Sequence, residues 1–110
     1  MAEVSKTVLR EERLDGDYRY LGIEQKANGD LVFEGQDLGP GVEQAMGTRE
    51  YEWTWTIKAQ HVLALKQALG ADGEILSVLK QHFANDKAAG LYNFLNTHQI
   101  PVETWSRSGD

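Results

Sequence analysis

The chain has 110 residues, of which 41% are hydrophobic and 25% charged, and its formal net charge is −6. This length and composition predict a single domain over residues 1–110 with a hydrophobic core of ordinary size. The chain contains no Cys. That absence excludes disulfides, thiolate metal sites and Cys nucleophiles, and it is compatible with a cytoplasmic protein.

The acidic side chains are concentrated in the first half of the chain. Residues 1–58 contain seven basic and twelve acidic side chains, whereas residues 59–110 contain four and five. Nucleic acids and anionic membranes are bound mainly through clustered Lys and Arg, so we expect neither as a partner. A basic protein partner is compatible with this charge. Residues 1–13 are charged throughout and lack the apolar run of a signal peptide or membrane span, which favours a cytoplasmic location.

The first two predicted elements are separated by a turn. Residues 6–14 alternate poorly and carry many charges, so residues 1–14 are interpreted either as an edge strand or as a frayed segment. Asp15-Gly16 could turn the chain back onto the next strand.

A hairpin is predicted in the next part of the chain. Residues 18–26 alternate in hydrophobicity as a strand does, and residues 31–34 form its antiparallel partner. Asn28-Gly29 lies between them and favours a type I′ turn, because this pair tolerates the positive φ values that such a turn requires.

A Gly-rich segment follows the hairpin. Three Gly and one Pro lie within residues 35–41, which predicts that the strand ends at Glu34 and is followed by a compact loop. Pro40 can occupy the first turn of a short helix that ends at Gly47.

Residues 51–58 read Tyr-Glu-Trp-Thr-Trp-Thr-Ile-Lys, the clearest strand pattern in the chain. Because successive side chains on a strand point to opposite faces, Tyr51, Trp53 and Trp55 share one face. An aromatic side chain buries roughly 150–250 Å², so we expect these rings to be sandwiched between the sheet and the helices. The alternative is a stacking surface for a ligand or partner.

After this strand the hydrophobic period changes from 2 to 3.6. Amphipathic helices are predicted over residues 59–69, over residues 74–83, and from Asp86 to a point before Pro101. A last short strand is predicted at residues 102–106.

Strands with an aromatic face and helices with an apolar stripe bury both surfaces by stacking in two layers. The sequence therefore predicts an α+β fold. Its antiparallel β-sheet has four to five strands, three helices pack on one face, and the C-terminal strand returns to the sheet.

The Gly-rich segment also supplies the candidate binding residues. They are Gln36, Asp37 and Glu43, together with Arg107 near the C-terminus. The spacing matches neither the dinucleotide fingerprint nor a P-loop. A cation site built from Glu34, Asp37 and Glu43 is conceivable, but the EF-hand spacing is absent, and a turn followed by a short helix is the preferred interpretation. Arg107 could pair with Asp37 or with Asp110.

No motif predicts catalysis or metal binding. None of the four Ser residues lies in a G-x-S-x-G elbow. The three His residues, His61, His82 and His98, lack the spacing of a helical metal site. We therefore expect no catalytic residues, no metal and no cofactor.

Two blocks of the sequence resemble a known family. One comprises Glu34-Gly-Gln-Asp-Leu-Gly-Pro-Gly-Val42 with Tyr51-Glu-Trp-Thr-Trp55, and the other runs from Ile100 to Asp110 and contains Trp-Ser-Arg-Ser-Gly-Asp. They resemble a family of small bacterial proteins, met especially among actinobacteria, from about residue 18 onward. The resemblance implies a bacterial single-domain protein; it supplies no activity and no catalytic residues.

The expected function is that of a small acidic domain that binds another protein. One specific version is an immunity-type inhibitor of a basic, nuclease-like toxin. The alternative is a small-molecule-binding or enzymatic domain that uses the loop at residues 35–43 with Gln36, Asp37 and Arg107. A monomer and a homodimer with paired edge strands both remain open.

Overall fold

The computed structural model describes residues 5–47, 50–70 and 73–109, and these form an α+β fold. Five antiparallel strands make an open sheet in the order β1-β2-β3-β4-β5. The strands are β1 Ser5–Leu14, β2 Asp17–Gln25, β3 Leu31–Leu38, β4 Glu50–Ile57 and β5 Glu103–Gly109. The helices are α1 Pro40–Met46, α2 Ala59–Leu69, α3 Ile75–Phe83 and α4 Leu91–Thr97, with a 3₁₀ helix over Asn85–Gly90. The predicted fold class is confirmed, including the return of the C-terminal strand to the sheet.

β1 and β2 form a hairpin at one edge of the sheet. Of the two interpretations of the N-terminal segment, the structure has the strand from Ser5 onward; residues 1–4 lie outside the described residues. Asp15 and Gly16 have φ values of 53° and 84°. Positive φ at both central residues defines a type I′ turn, so the predicted turn is present.

The hairpin between β2 and β3 is confirmed, but its predicted turn type is wrong. Gly29 has a φ of 95°, whereas Asn28 does not have a positive φ. The Gly29 amide donates to the Lys26 carbonyl at 2.9 Å, and the Lys26 amide donates to the Asp30 carbonyl at 2.8 Å. This is a three-residue loop in which only the last residue is left-handed. The Asn28 side chain stabilises it by accepting the Asp30 N–H at 3.0 Å.

The predicted loop at residues 35–41 is wrong, because β3 continues through Gly35 to Leu38. Gly35 pairs with Leu21 on one side and with Trp53 on the other. A Cβ at this position would overlap the indole ring of Trp53. Gly35 is therefore a strand residue whose missing side chain makes room for an aromatic neighbour, and the chain turns only at Gly39.

The core lies between the sheet and the helices. Fully buried side chains come from β3, β4 and all three helices after β4; they are Leu31, Phe33, Ile57, Leu65, Leu79, Leu91 and Leu95. The predicted bounds of α2 are confirmed, whereas the third predicted helix begins as the 3₁₀ helix and becomes α-helical only at Leu91. The sequence also predicts that Asp86 caps this third helix, but the Asp86 side chain lies outside those described. None of the helices in the described part of the chain has the length and apolar character needed to cross a membrane.

Two helices are capped by Asp residues from distant parts of the sequence. Asp17 Oδ1 accepts the N–H of Gly41 in α1 at 2.9 Å, and Asp30 Oδ1 accepts the N–H of Ala59 in α2 at 2.8 Å. The residues that precede these helices supply no side-chain cap. The first N–H groups of a helix have no partner within it. The two Asp residues therefore connect the start of β2 to α1 and the β2–β3 loop to α2.

Candidate functional site

The sheet presents two different surfaces. The inner face bears α2, α3 and α4 and supplies the core side chains. The outer face carries the alternate residues of each strand. In register across β2, β3, β4 and β5, its central row is Tyr20, Gln36, Glu52 and Arg107. Each face holds one candidate site.

Glu52 connects three strands on the outer face. Its Oε1 accepts a hydrogen bond from Gln36 Nε2 at 3.3 Å, and its Oε2 lies 3.2 Å from Arg107 Nη2. An exposed ion pair of this kind contributes about 0–1 kcal/mol to stability. The predicted pairing of Arg107 with Asp37 is wrong, because Arg107 pairs with Glu52. The alternative partner, Asp110, lies outside the described residues. β5 continues to Gly109, three residues beyond the predicted end of the strand at residue 106.

A shallow groove of about 220 Å³ crosses the outer face. Its lining includes Tyr20, Glu34, Gln36, Glu52, Thr54 and Trp105. The Tyr20 ring lies over Gly22, where a Cβ would overlap its hydroxyl group, and Trp105 is 51% exposed. Glu34 is exposed and makes no hydrogen bond or ion pair within the described part of the chain. The groove, which we call the outer-face groove, therefore combines two carboxylates with two aromatic rings, the chemistry that binds organic cations.

The aromatic stripe lies on the inner face, as predicted, but its burial is less complete than predicted. Trp55 packs against the core and lies 5.1 Å from the Tyr92 ring of α4, measured between centroids. Tyr51 and Trp53 stack on each other at 5.6 Å and remain partly exposed. The partial exposure of these two rings shows that the helices do not cover the whole inner face.

Polar side chains line the open half of the inner face beside these rings. Asp37 lies opposite Arg19 on β2 and opposite Tyr51 on β4. Burial raises the pKa of the Asp37 carboxyl, and the nearby Arg19 and Arg10 guanidinium groups partly oppose that rise. The Nε1 atom of Trp53 is buried and has no hydrogen-bond partner among the described residues. We call this region, between Asp37 and Trp55, the aromatic cleft.

An ion pair lies beside the aromatic cleft, which is lined in part by Arg10. Arg10 Nε and Nη2 lie 3.0 and 3.1 Å from the two carboxylate oxygens of Glu12. The hydrogen bond from Arg10 lowers the pKa of Glu12. Arg10 lies opposite Leu21 and Glu12 lies opposite Arg19, so both side chains are on the inner face. Of the two Arg10 nitrogens, only Nη2 makes a hydrogen bond; the buried Nε has no hydrogen-bond partner among the described residues.

The structure separates the residues that the sequence grouped into one site. Gln36 and Arg107 lie on the outer face, Asp37 lies on the inner face, and Glu43 is exposed on α1. Because β3 continues past Gly35, its residues alternate between faces. Glu34 and Asp37 consequently face opposite ways, and the described residues contain no group of His, Asp and Glu side chains placed to hold a metal ion.

The binding residues predicted from the sequence do not include Glu52, Tyr20 and Trp105, which line the outer-face groove. The signal for Glu52 was present, since strict alternation over residues 51–58 places it on the face opposite the Trp stripe. No local signal predicts that Tyr20 and Trp105, from strands 85 positions apart in sequence, border one groove. That proximity depends on strand order.

Replacing Asp37 by Asn is expected to stabilise the protein at neutral pH. The raised folded-state pKa means that the folded protein binds a proton at Asp37 more readily than the unfolded chain does, so ionisation of Asp37 disfavours folding as the pH rises above about 4. Asn cannot ionise, so the stabilising effect should shrink towards acidic pH. Thermal unfolding of the variant and the wild type between about pH 3 and 8 measures this difference in stability. A variant that is less stable than the wild type at neutral pH would show that attraction by Arg19 outweighs burial.

Comparison of the chain with protein-family models, with curated proteins and with solved structures found no match. The resemblance to small actinobacterial proteins therefore stays a prediction.

Proposed function

We propose that this protein is an interaction domain that binds a basic segment of a partner protein on the outer face of its sheet. The observation that carries the proposal is the outer-face groove, in which Glu34 and Glu52 lie between the rings of Tyr20 and Trp105. A Lys or Arg side chain entering the groove would meet a carboxylate and an aromatic face together. Both contacts favour a cation, and Arg can make them simultaneously.

Glu34 is the carboxylate that we expect to contribute most to binding. Glu52 already interacts with Arg107 and Gln36, so part of its charge is compensated within the protein. Glu34 is exposed and makes no hydrogen bond or salt bridge among the described residues; its charge interacts with Lys26, but the Lys26 ammonium forms its ion pair with Glu24. An incoming guanidinium would thus form its new charge-assisted hydrogen bond with Glu34 and would stack against Trp105.

An immunity-type inhibitor is one form of this proposal. A nuclease-like toxin presents a basic surface to its substrate, and an acidic sheet face with exposed aromatic residues suits such a surface. The alternative small-molecule site of Gln36, Asp37 and Arg107 has less support, because these side chains lie on two faces. What still favours a small-molecule site is the aromatic cleft, where the half-buried Asp37 adjoins the unpartnered Trp53 N–H.

A short arginine-rich peptide serves as the probe of the proposed surface. We expect it to shift the NMR signals of the Trp105 indole N–H and of the residue 34 and residue 52 amides, with an affinity that falls as salt is added. A Glu-rich peptide of equal length should shift none of them. Shifts centred on Trp53 and Trp55 would contradict the proposal and would favour the aromatic cleft as the binding site.

Two charge-neutralising variants separate local binding from overall charge. Glu34→Gln should weaken peptide binding by about three- to tenfold, equivalent to about 0.7–1.4 kcal/mol. Glu74→Gln removes the same charge from an exposed position before α3 and should leave the affinity almost unchanged. Equal losses in the two variants would show that only net charge matters and would overturn the assignment of the groove.

A further inference from the structure

β5 is an open edge of the sheet. It is the last strand in the sheet order and, among the described residues, it pairs only with β4. The side chains of residues 103–107 are all exposed, and the pairing with β4 contains no register shift. The opposite edge differs, because β1 has a register shift between Val8 and Arg10, an irregularity that discourages pairing with another strand.

β5 carries two opposite charges at equal distances on either side of Trp105. Glu103 precedes this residue by two positions and Arg107 follows it by two, so all three lie on the outer face, opposite Thr56, Thr54 and Glu52 of β4. An edge protected against self-association usually carries charges that repel a second copy. Here the two charges have opposite signs and equal spacing from the centre.

We propose that two copies of this chain pair through β5, antiparallel to each other about a two-fold axis at Trp105. In this register Glu103 of each copy lies opposite Arg107 of the other, and Thr104 lies opposite Ser106. The two five-stranded sheets thereby become one continuous sheet of ten strands. An isologous contact of this kind uses the same patch on both copies and closes at the dimer.

The charges select this register from its neighbours. The axis at Trp105 creates two opposite-charge pairs and one aromatic pair. An axis at the neighbouring Thr104 or Ser106 would place Glu103 or Arg107 opposite Trp105 and would create no opposite-charge pair, and an axis at Glu103 or at Arg107 would place identical charges directly opposite each other, which destabilises a strand pair. Within one copy Arg107 contacts Glu52 at 3.2 Å and Glu103 contacts Lys58 at 3.6 Å. The Arg107 and Glu103 side chains are nevertheless 62% and 66% exposed, so both can reach a second copy.

The interface is small, so the dimer is expected to be concentration-dependent. Stable interfaces usually bury about 1,200–2,000 Å², which is more than one short strand pair supplies. This inference does not depend on the proposed partner, since the outer-face groove exists in each single copy.

Cysteine crosslinking tests whether the two-fold axis of the dimer lies at Trp105. Since the chain contains no Cys, a single introduced thiol can pair only with its copy. Residues directly opposite each other on antiparallel strands have Cβ atoms about 4.5–5.5 Å apart, so Trp105→Cys should form a covalent dimer under mild oxidation. Ser106→Cys is the matched control: its opposite residue is Thr104, which leaves the two thiols too far apart for a disulfide. Equal crosslinking of both variants would overturn the register.

Charge reversal tests the pairing without removing Trp105. Glu103→Arg alone and Arg107→Glu alone each place like charges opposite each other, so each should dimerise at least about fivefold more weakly than the wild type. A mixture of the two variants restores both opposite-charge pairs and should form a heterodimer. Sedimentation velocity measures association, and circular dichroism verifies that each variant is folded. A wild type that stays monomeric at the highest soluble concentration, or a mixture without heterodimer, would contradict the proposal.

Discussion

Replacing Gly35 by Ala is expected to displace the Trp53 indole and to lower the free energy of unfolding by about 1–3 kcal/mol, the usual cost of overfilling a packed site. A Cβ on residue 35 would overlap three ring atoms of Trp53. The β3 backbone cannot move away, because strands pair with it on both sides. Trp53 is only partly buried, so its ring would swing outward and lose its contacts with Tyr51 and Trp55.

Chemical denaturation measures the loss of stability in Gly35→Ala, and the Trp53 indole N–H signal in NMR spectra reports the ring displacement. Gly90→Ala is the control, since a Cβ there would meet no non-neighbouring atom of the described residues within 4 Å, and we expect it to be neutral within about 0.5 kcal/mol. A smaller side chain at position 53, as in Trp53→Val, should make the Gly35→Ala change less costly. If Gly35→Ala keeps both the wild-type stability and the wild-type Trp53 signal, the close contact assigned to this glycine is wrong.

Replacing Leu65 by Ala should produce the largest loss of stability, about 2–5 kcal/mol. Leu65 is fully buried in α2, at 0% exposure, within the core cluster. Truncation removes its transfer free energy and leaves a cavity under the sheet. Leu63 is the matched control two positions earlier on the same helix. It is 65% exposed, so Leu63→Ala should change the free energy of unfolding by no more than about 0.5 kcal/mol.

Urea denaturation of both Leu variants, fitted with a common m-value, measures the difference. A large difference between them would confirm that the apolar stripe of α2 faces the sheet. Similar losses in the two variants would contradict the packing of α2, because both residues would then have the same environment.

Local patterns predicted most of the architecture correctly. The 3.6-residue period at Val62, Leu65 and Leu69 predicted α2 to its observed bounds. The alternation over residues 51–58 predicted β4 and the face of its aromatic side chains. These patterns succeed because they reflect burial of one side of an element, which depends little on which other element covers it.

The candidate site was less predictable. The Gly and Pro residues at 35–41 predict a loop, and a loop would allow Gln36 and Asp37 to lie together beside Arg107. Gly35 instead pairs within the sheet with Trp53, whose ring occupies the space that a Cβ at residue 35 would need. Trp53 is 18 positions away in sequence. Once β3 continues, Gln36 and Asp37 must point to opposite faces.

By itself, the sequence determined the types and order of most elements, the positions of most turns and, for β2 and β4, which side chains share a face. These properties follow from backbone preferences and from the periodicity of apolar side chains. The tertiary structure alone decided how much of the inner face the helices cover, which distant Asp residues cap α1 and α2, and how Tyr20, Glu52 and Trp105 come to share one surface. Those outcomes depend on strand order and on contacts between residues far apart in the chain, which no local pattern encodes.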